Sequence, residues 1–401
     1  MSEFKFKKSL FGFMDMLKFK QIVPQRRKML LSGSNAPISS EEFPVNRMAR
    51  RLHPKKQEFR IADIIEFPGA DAKSYILQGE NAAPFRPGQY VAVELTIGKS
   101  ALSRAYAIAS DPADAAKGIY ELGIKRSQDG FASAWILDNW KIGDTVRCSG
   151  PEGNCCYEPL RDEKHVVAVA GGSGITPFLS MARAIASGKV DHSMTLLYGC
   201  RTVDSIMYHS KLEALGDAGG KLKVVYVLSD QKKKGYEHGF VNAELIRKYA
   251  GERPFTLFMC GPQAMYDFVE NQAQELGLDR KHIRTEVSAC TVVPTVFADY
   301  DGDVKAKYNL TVCSYEGEQT VPMLASETIL TALDRAGIRC PAHCRGGECG
   351  FCRSKLLEGK YFAPKQFDSR RAADAPAGYI HPCCSYPLSD IKLLLWNESE
   401  V

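Results

Sequence analysis

The chain has 401 residues, 45% of them hydrophobic and 25% charged, and it carries 13 cysteines. This composition is typical of a folded protein of roughly two to four domains and excludes wholesale disorder. No uncharged apolar run of about 18 residues occurs, which excludes a membrane-spanning helix, and the start of the chain lacks the features of a secretory signal. We therefore expect a cytoplasmic protein whose clustered cysteines form a metal or redox site.

The net charge of +5 is concentrated at the start of the chain. Residues 1–60 contain fourteen Lys and Arg against five Asp and Glu. The rest of the chain is therefore slightly acidic, which argues against a nucleic-acid enzyme with a basic body. Leu10, Phe13, Met14 and Leu17 predict one apolar face of a short helix. We favour packing of this segment on the protein body or a frayed tail, with docking on an acidic partner or a membrane surface as the alternative hypothesis.

Four regions follow one another along the sequence: a basic extension over 1–55, then 56–157, 158–288 and, after a linker at 289–300, 301–401. Region 56–157 alternates short strand-like runs with turn residues, which predicts an antiparallel β-barrel. Examples of the predicted strands are Gln57–Glu66, Gln89–Thr96, Ala105–Ser110, Tyr120–Arg126 and Thr145–Gly150.

Region 158–288 has continuous apolar runs separated by helical stretches, which predicts an α/β doubly wound parallel sheet. The runs are His165–Ala170, Met194–Tyr198, Leu222–Leu228 and Phe255–Cys260, and the first helix is Pro177–Ala186. Region 301–401 reads as two strands and a helix before a cysteine-rich end. The strands are Lys305–Ser314 and Glu318–Met323, joined by a turn at Glu316–Gly317, and the helix runs from Ser326 and Glu327 to Gly337.

The most specific motif is a cysteine cluster with C-x4-C-x2-C spacing, formed by Cys344, Cys349 and Cys352, with Cys383 as the distant fourth member. This spacing is the one that plant-type ferredoxins use to bind a [2Fe–2S] cluster. The intervening glycines allow the backbone to approach the bridging sulfides and to offer them N–H donors. Structural zinc sites instead favour paired C-x2-C motifs.

The whole of region 301–401 resembles a β-grasp ferredoxin domain. We prefer Cys383 as the fourth ligand because the residues around it resemble the family's strand context, and Cys384 is the alternative. Cys340 is expected to be a small buried hydrophobe.

Region 56–157 resembles the flavin domain of ferredoxin–NADP⁺ reductase-like enzymes. The resemblance is carried by four segments in the family's order: Arg86–Tyr90, Arg104–Ser110, Gly130–Ser133 and Gly150–Gly153. It implies an Arg-x-Tyr motif at Arg104, Ala105, Tyr106 and Ala107, and a phosphate-facing turn at Gly130, Ala132 and Ser133.

In that family the Arg104 position pairs with the flavin phosphate, and the Tyr106 position packs on the isoalloxazine ring. A guanidinium makes charge-assisted bonds to phosphate, and an aromatic face stacks on a flat ring. Ala107 replaces the family's Ser, a hydroxyl that lies near flavin N5. The resemblance implies FAD, with FMN as the alternative.

Region 158–288 resembles the nicotinamide domain of the same family. The family's glycine-rich motif is matched by Gly171, Gly172, Gly174, Ile175, Thr176 and Pro177. Glycines after a parallel strand turn backbone amides towards a pyrophosphate. Two further matches are Arg201, which borders the adenosine half in the family, and the triplet Cys260, Gly261 and Pro262.

Family members set the Cys260 position against the nicotinamide ring, and a structural buried thiol is the alternative. Asp230 stands where relatives that prefer NADPH have Arg, and a carboxylate can accept from a ribose hydroxyl but repels a phosphate. The sequence thus favours NADH over NADPH.

The three modules together imply an NAD(P)H-oxidising reductase that gives single electrons to a protein acceptor. A nicotinamide gives a hydride, a [2Fe–2S] cluster takes one electron at a time, and a flavin can mediate between them. Tyr106 and Cys260 are the expected residues at the reacting rings. The relatives of this module order are reductase components of multicomponent oxygenases. The alternatives are a reductase for a hybrid-cluster protein or another non-oxygenase acceptor, and a non-catalytic metal-binding scaffold.

Overall fold

The computed structural model describes residues 43–127, 130–286, 289–290, 292–314 and 317–395 and, before them, Met14, Leu17, Lys20, Pro24, Gln25 and Lys28. The chain divides into two compact units, Met1–Ala49 and Arg50–Val401. Leu10 and Phe13 of the predicted N-terminal helix lie outside the described residues. The first fully described helix, α1, is Pro44–Leu52. Within the described part of the chain, no helix is long and apolar enough to cross a membrane.

The first sheet has six antiparallel strands in the order β4-β3-β6-β1-β2-β5. The strands are β1 (Gln57–Phe67), β2 (Ala72–Gln78), β3 (Tyr90–Ile97), β4 (Ser100–Ala107), β5 (Ile119–Lys125) and β6 (Thr145–Cys148). An isolated bridge joins Ile108, directly after the end of edge strand β4, to Leu122 in the middle of the other edge strand, β5. The sheet therefore curls towards a barrel, and the predicted antiparallel flavin-type architecture is confirmed.

Two elements of this sheet differ from the sequence prediction. Strand β2 was not predicted because Ser74, a polar residue, occupies a fully buried position, where its hydroxyl donates to Glu121 at 2.7 Å. Strand β4 begins at Ser100, five residues before the predicted start, because the turn at Gly98 (φ 60°) lets the polar segment Ser100–Arg104 pair with β3. Neither segment has the apolar alternation on which strand prediction depends.

The second sheet is wholly parallel, in the order β10-β9-β8-β7-β11-β12. Its strands are β7 (His165–Gly171), β8 (Ser193–Cys200), β9 (Leu222–Leu228), β10 (Glu237–His238), β11 (Thr256–Cys260) and β12 (Ile283–Thr285). Helix α2 (Phe131–Asn139) comes earlier in the chain, between β5 and β6. The helices that alternate with the strands of the second sheet are α3 (Ile175–Ala186), α4 (His209–Leu215), α5 (Ala243–Ala250) and α6 (Gln263–Glu275). The strand order reverses between β7 and β11, which is where open α/β sheets bind ligands.

A buried carboxylate joins the first two sheets. Glu121 on β5 is 3% exposed, and its oxygens accept from Arg183 of α3 and Lys211 of α4, each at 2.7 Å. The Tyr208 hydroxyl donates to Ser74, which in turn donates to Glu121. Burial acts to raise the pKa of Glu121, but the two cations outweigh it and hold the pKa below its usual value. The carboxylate is therefore ionised and holds the two sheets together.

The C-terminal sheet has the strand order β14-β13-β19-β15-β17, beside a two-stranded sheet of β16 and β18. The strands are β13 (Lys307–Ser314), β14 (Gly317–Leu324), β15 (Ser354–Glu358), β16 (Tyr361–Phe362), β17 (Tyr379–Ile380), β18 (Tyr386–Pro387) and β19 (Ile391–Leu394). Helix α7 (Ile329–Ala336) packs Ile329 and Leu333 into the core of the larger sheet. This arrangement confirms the predicted α+β ferredoxin-type architecture.

The predicted helix start at Ser326 was two residues early. Thr328 is the N-cap, since its hydroxyl accepts from the N–H of Thr331 at 3.3 Å, and α7 ends at Gly337 with φ 75° as predicted. Glu327, predicted to lie in the helix start, instead accepts from the N–H of Leu324 at 2.9 Å. Both Ser and Thr cap helices, so the pattern alone does not distinguish the two starts.

Candidate functional site

The cysteine loop, Cys344–Cys352, lies between α7 and β15, and Cys383 lies in the turn that leads to β18. The Cys383 thiol is within hydrogen-bonding reach of the Cys344 and Cys352 thiols, and Cys344 is within reach of Cys349. The contacts link the four thiols in the order Cys349, Cys344, Cys383 and Cys352. No three of the described His, Cys, Asp or Glu side chains are set around one point as ligands of a single metal ion. Four neighbouring sulfur donors fit a two-iron cluster, which takes two thiolates at each iron.

The loop backbone is shaped to surround these sulfurs. The N–H groups of Gly346 and Cys349 point at the Cys344 sulfur, at 3.4 and 3.3 Å. Gly347 has φ 78°, and a Cβ there would lie 1.9 Å from the Phe367 carbonyl oxygen and 2.9 Å from the Cys384 sulfur. Only glycine fits this position, because both the dihedral angle and the space exclude a side chain. The N–H donors and the cradle suit an anionic iron–sulfur cluster.

The two candidate fourth ligands differ in their contacts. Cys383 reaches two of the other predicted ligands, whereas the Cys384 thiol donates to the His381 carbonyl at 3.5 Å and touches Cys383. Both are buried. Cys340 packs against the apolar residues beside the loop, and Cys383 stays the predicted ligand.

The predicted flavin motif lies on β4, and the C-terminal module is in contact with it. The Ser103 hydroxyl donates to the Ala342 carbonyl, close to the cysteine loop. Arg104 donates to the Ser103 carbonyl at 2.8 Å, and its guanidinium lies 3.9 Å from the Asp334 carboxylate of α7. Burial, together with the positive charge of Arg345, lowers the pKa of Arg104 to about 10. Arg104 is therefore a desolvated cation at the boundary of two modules.

The other predicted flavin residues frame the same edge of the first sheet. On β4, Ala105, Tyr106 and Ala107 pair with Ala92, Val91 and Tyr90 of β3. Burial raises the pKa of the Tyr106 phenol, so the ring stays neutral and can pack on a flat ligand. These residues lie on a strand whose backbone is paired along its length with β3.

The segment predicted as a phosphate-facing turn begins a helix instead. Gly130 is the N-cap of α2, and Ala132 and Ser133 lie in the first turn. The Ser133 hydroxyl accepts from the N–H of Ser127 at 3.1 Å. The first turn of a helix directs free N–H groups outwards and favours anions, so the start of α2 suits a phosphate as the predicted turn would.

The two predicted nicotinamide loops meet at the point where the strand order reverses. A Cβ on Gly174 would lie 2.0 Å from the Cys260 carbonyl oxygen, and one on Gly171 would lie 2.9 Å from Pro262. Gly172 has φ 55° and its carbonyl accepts from the Tyr198 hydroxyl at 2.9 Å. Ile175, Thr176 and Pro177 follow as the first turn of α3. This close backbone approach explains the glycines and leaves the start of α3 beside the Cys260 loop.

Cys260 and Gly261 are held by a hydrogen-bonded tyrosine. The Tyr266 hydroxyl accepts from the N–H of Gly261 at 3.2 Å and donates to the Glu286 carbonyl at 3.1 Å. Burial and then the Glu286 carboxylate raise the pKa of the Cys260 thiol. Cys260 is thus a neutral thiol, which suits packing against a ring and does not suit nucleophilic attack.

Arg201 and Asp230 form an ion pair that the sequence did not predict. They follow β8 and β9, and the guanidinium lies 2.7 Å from the carboxylate. Ser229 also donates to Asp230, at 2.6 Å, and Ser229 and Arg201 hold the pKa of Asp230 below its usual value. The pair places one cation and one anion at the ligand-binding edge of the sheet.

Two further side chains, Glu152 and His343, join the modules and were missed in the sequence. The His343 ring bonds to the Glu152 carboxylate at 2.7 Å and stacks on Phe351 with ring centroids 4.0 Å apart. Glu152 is the variable residue of the Gly150–Gly153 motif, and His343 precedes Cys344 directly. Their neighbouring motifs were the only signal available, because the contact joins residues 191 positions apart.

Comparisons with known proteins identify three modules in the predicted order. Residues 69–157 match the oxidoreductase FAD-binding domain, 168–271 the oxidoreductase NAD-binding domain, and 314–388 the 2Fe-2S iron–sulfur cluster binding domain. The chain is 28% identical over 322 residues to a component of the 1,2-phenylacetyl-CoA epoxidase of Escherichia coli, covering 77% of this chain and 88% of the relative. It is 26% identical to the reductase component of the glycine betaine monooxygenase of Chromohalobacter salexigens, covering 77% and 87%.

The fold is also that of a solved reductase. Phthalate dioxygenase reductase superposes with a TM-score of 0.60 at 22% identity, covering 85% of this chain and 97% of that structure. The predicted module order and the predicted FAD, nicotinamide and [2Fe–2S] cofactors are confirmed. The chain is an NAD(P)H oxidoreductase with an FAD-binding, an NAD-binding and a C-terminal 2Fe-2S domain, and its fold is ferredoxin–NADP⁺ reductase-like.

Proposed function

We propose that this chain is the reductase component of a multicomponent oxygenase. It takes a hydride from NADH and supplies single electrons to a partner oxygenase. The relatives named above support this acceptor, since both are named as parts of an epoxidase or a monooxygenase. The observation that carries the proposal is the contact between β4 and the cysteine loop region. Ser103 bonds to Ala342, and Glu152 bonds to His343, so the predicted flavin strand and the predicted cluster ligands are neighbours.

The residues of the first sheet have separable tasks in this proposal. Arg104 and the open N–H groups at the start of α2, with Ser133, bind the phosphates of FAD. Tyr106 packs on the isoalloxazine ring, and the buried setting excludes water from the reacting face. When bound there, FAD would supply the chemistry that accepts a hydride and releases its two electrons one at a time, with the proton passing to the solvent.

The parallel sheet binds the coenzyme at the reversal of its strand order. Gly171–Pro177 offers backbone N–H groups and the start of α3 to the pyrophosphate, and Cys260 packs against the nicotinamide ring. Asp230 accepts from a ribose hydroxyl, and its ion pair with Arg201 fixes its orientation. The carboxylate would face a 2′-phosphate with like charge, which favours NADH.

The partner and the compartment complete the proposal. None of the thirteen cysteines, all within the described residues, forms a disulfide, which suits a reducing cytoplasm where NADH is also supplied. The basic segment at the start of the chain is a further candidate for docking on an acidic partner surface.

The serial electron path is tested by Cys344→Ser in the full chain. Loss of a cluster ligand should abolish NADH-driven reduction of cytochrome c and spare that of ferricyanide, which takes electrons from the flavin. Cys313→Ser is the matched control, because Cys313 lies on β13 of the same domain, where its thiol donates to Glu318 at 3.4 Å. Equal loss of both activities in a folded, flavin-loaded Cys344 variant would show that the path is not serial.

The acceptor is tested by reconstitution with purified oxygenase components. NADH oxidation coupled to oxygenated product is the expected result. Turnover with a hybrid-cluster protein and none with any oxygenase component would replace the proposed acceptor with the alternative one. A preparation without flavin, iron or dye reduction would instead support the scaffold hypothesis.

A further inference from the structure

Two guanidinium groups from different modules share a single buried carboxylate. Asp334 of α7 lies 2.7 Å from Arg345 and 3.9 Å from Arg104. Asp334 is 8% exposed, and the Arg345 side chain is 7% exposed. One carboxylate can neutralise only one of the two cations. The trio therefore carries an excess positive charge. The Arg345 side chain holds its share away from water, whereas the Arg104 side chain is 26% exposed. Such a charge is unfavourable at a buried position unless an anion compensates it.

Arg345 also has a buried hydrogen-bond donor without a partner. Among the contacts of the described residues, Nη1 of Arg345 has no hydrogen-bond partner. Buried arginine donors are nearly always satisfied, by protein, water or a ligand. Repulsion by Arg345 also helps to lower the pKa of Arg104, so the two cations sense each other. An orphaned guanidinium nitrogen beside a desolvated cation is the chemistry of an anion site.

The position of this site is fixed by close contacts between β4 and the C-terminal module. The Ser103 hydroxyl bonds to the Ala342 carbonyl, and a Cβ on Gly337 would lie 2.4 Å from the Lys99 carbonyl oxygen. The C-terminal module is thus seated on the strand that carries Arg104. Arg345 belongs to the cysteine loop and follows Cys344 directly.

We infer that Arg345 is a second ligand for the phosphates of FAD, which are bound between Arg104 of the first sheet and Arg345 of the iron–sulfur domain. The inference rests on the proposed role of Arg104 as a phosphate ligand. It assigns part of the flavin site to the domain that carries the cluster. FAD then stabilises the seating of that domain on β4, because a ligand that bridges two modules favours their contact.

The test measures the dissociation constant of FAD by fluorescence in the full chain, with iron content determined in parallel. Arg345→Met should weaken FAD binding about ten- to a hundredfold, the effect of losing a charge-assisted bond, and Arg345→Lys should weaken it less. Arg335→Met is the matched control, since Arg335 lies on the same domain, is half exposed and pairs with Glu327. It should leave FAD binding unchanged.

The Asp334→Asn variant distinguishes two roles of Arg345: a ligand of FAD, or a purely structural partner of Asp334. Removal of the competing anion should leave FAD binding as tight as in the parent or tighter, whereas a structural Asp334–Arg345 pair predicts weaker binding in both variants. Unchanged affinity in Arg345→Met, or equal weakening in Asp334→Asn and Arg345→Met, would overturn the inference. If Arg345→Met loses its iron, the FAD affinities of Arg345→Lys and Asp334→Asn are compared in its place.

A parallel Arg104→Met variant distinguishes this inference from the proposed function. Weaker FAD binding in that variant with parent-like binding in Arg345→Met would overturn the role of Arg345 alone. Parent-like binding in both would remove Arg104 from the site and with it the proposed flavin position.

Discussion

The buried carboxylate between the first two sheets makes the sharpest stability prediction. Glu121→Gln keeps the shape of the side chain and removes its charge. Arg183 and Lys211, each 2.7 Å from the carboxylate, are then left without their shared anion. Removing one member of a buried ion pair costs about 3–5 kcal/mol, because the remaining charge stays desolvated. We expect Glu121→Gln to lower the free energy of unfolding by that amount.

Asp138→Asn is the matched control for this prediction. Asp138 is also an acidic residue paired with arginine, 2.7 Å from Arg126, but its side chain is 59% exposed. An exposed pair of this kind contributes little to stability, because water screens it. Urea unfolding of both variants and of the parent gives the comparison. A Glu121→Gln variant no less stable than Asp138→Asn would refute the argument from burial.

The same carboxylate predicts how stability depends on pH. The pKa of Glu121 is lower in the folded chain than its ordinary value of 4.5. Its contribution is therefore present in full above that ordinary value and is lost as the pH falls through the folded pKa. The stability difference between the parent and Glu121→Gln should be constant near neutral pH and shrink in acid. A difference that grows as the pH falls below 4.5 would contradict the sign of the shift.

Three further predictions concern the cofactor sites. Gly174→Ala places a Cβ 2.0 Å from the facing carbonyl, so we expect a loss of about 1–3 kcal/mol of stability and a raised KM for NADH, and parent-like thermal unfolding would contradict this. Asp230→Ala frees Arg201 to meet a 2′-phosphate, so the ratio of kcat/KM for NADPH to that for NADH should rise, and an unchanged ratio would remove Asp230 from coenzyme choice. Cys383→Ser should lose the iron that Cys384→Ser retains, and the reverse result would make Cys384 the ligand.

The parts of the fold predicted correctly are those in which burial alone decides the pattern. Strand β7 is apolar at nearly every position because both of its faces are covered by protein, and its sequence shows this directly. Strand β2 was missed because its buried Ser74 is satisfied by a carboxylate that is distant in the sequence. A single sequence shows which residues are polar, but not which partner satisfies them.

The residues of the candidate site also fall into those that the sequence predicted and those that it did not. The motif residues on β4, at the glycine-rich loop and in the cysteine loop were found because each motif is local in the sequence. Asp334, Arg345 and Glu152 were missed because their roles depend on contacts between modules. The predicted preference for NADH over NADPH was based on the charge of Asp230 alone, whereas the structure pairs Asp230 with Arg201.

Arg345 has a left-handed backbone conformation and carries the side chain that we infer to bind FAD. Its φ of 58° costs a residue with a Cβ about 1–2 kcal/mol, and glycine adopts this angle freely, as Gly347 and Gly350 do in the same loop. The loop thus has an arginine at a position where glycine would remove the backbone strain. Arg345→Gly would relieve that conformational tension and delete the side chain, whereas Arg345→Ala would delete the side chain alone. This pair of variants therefore measures how much local stability the loop gives up to keep its arginine.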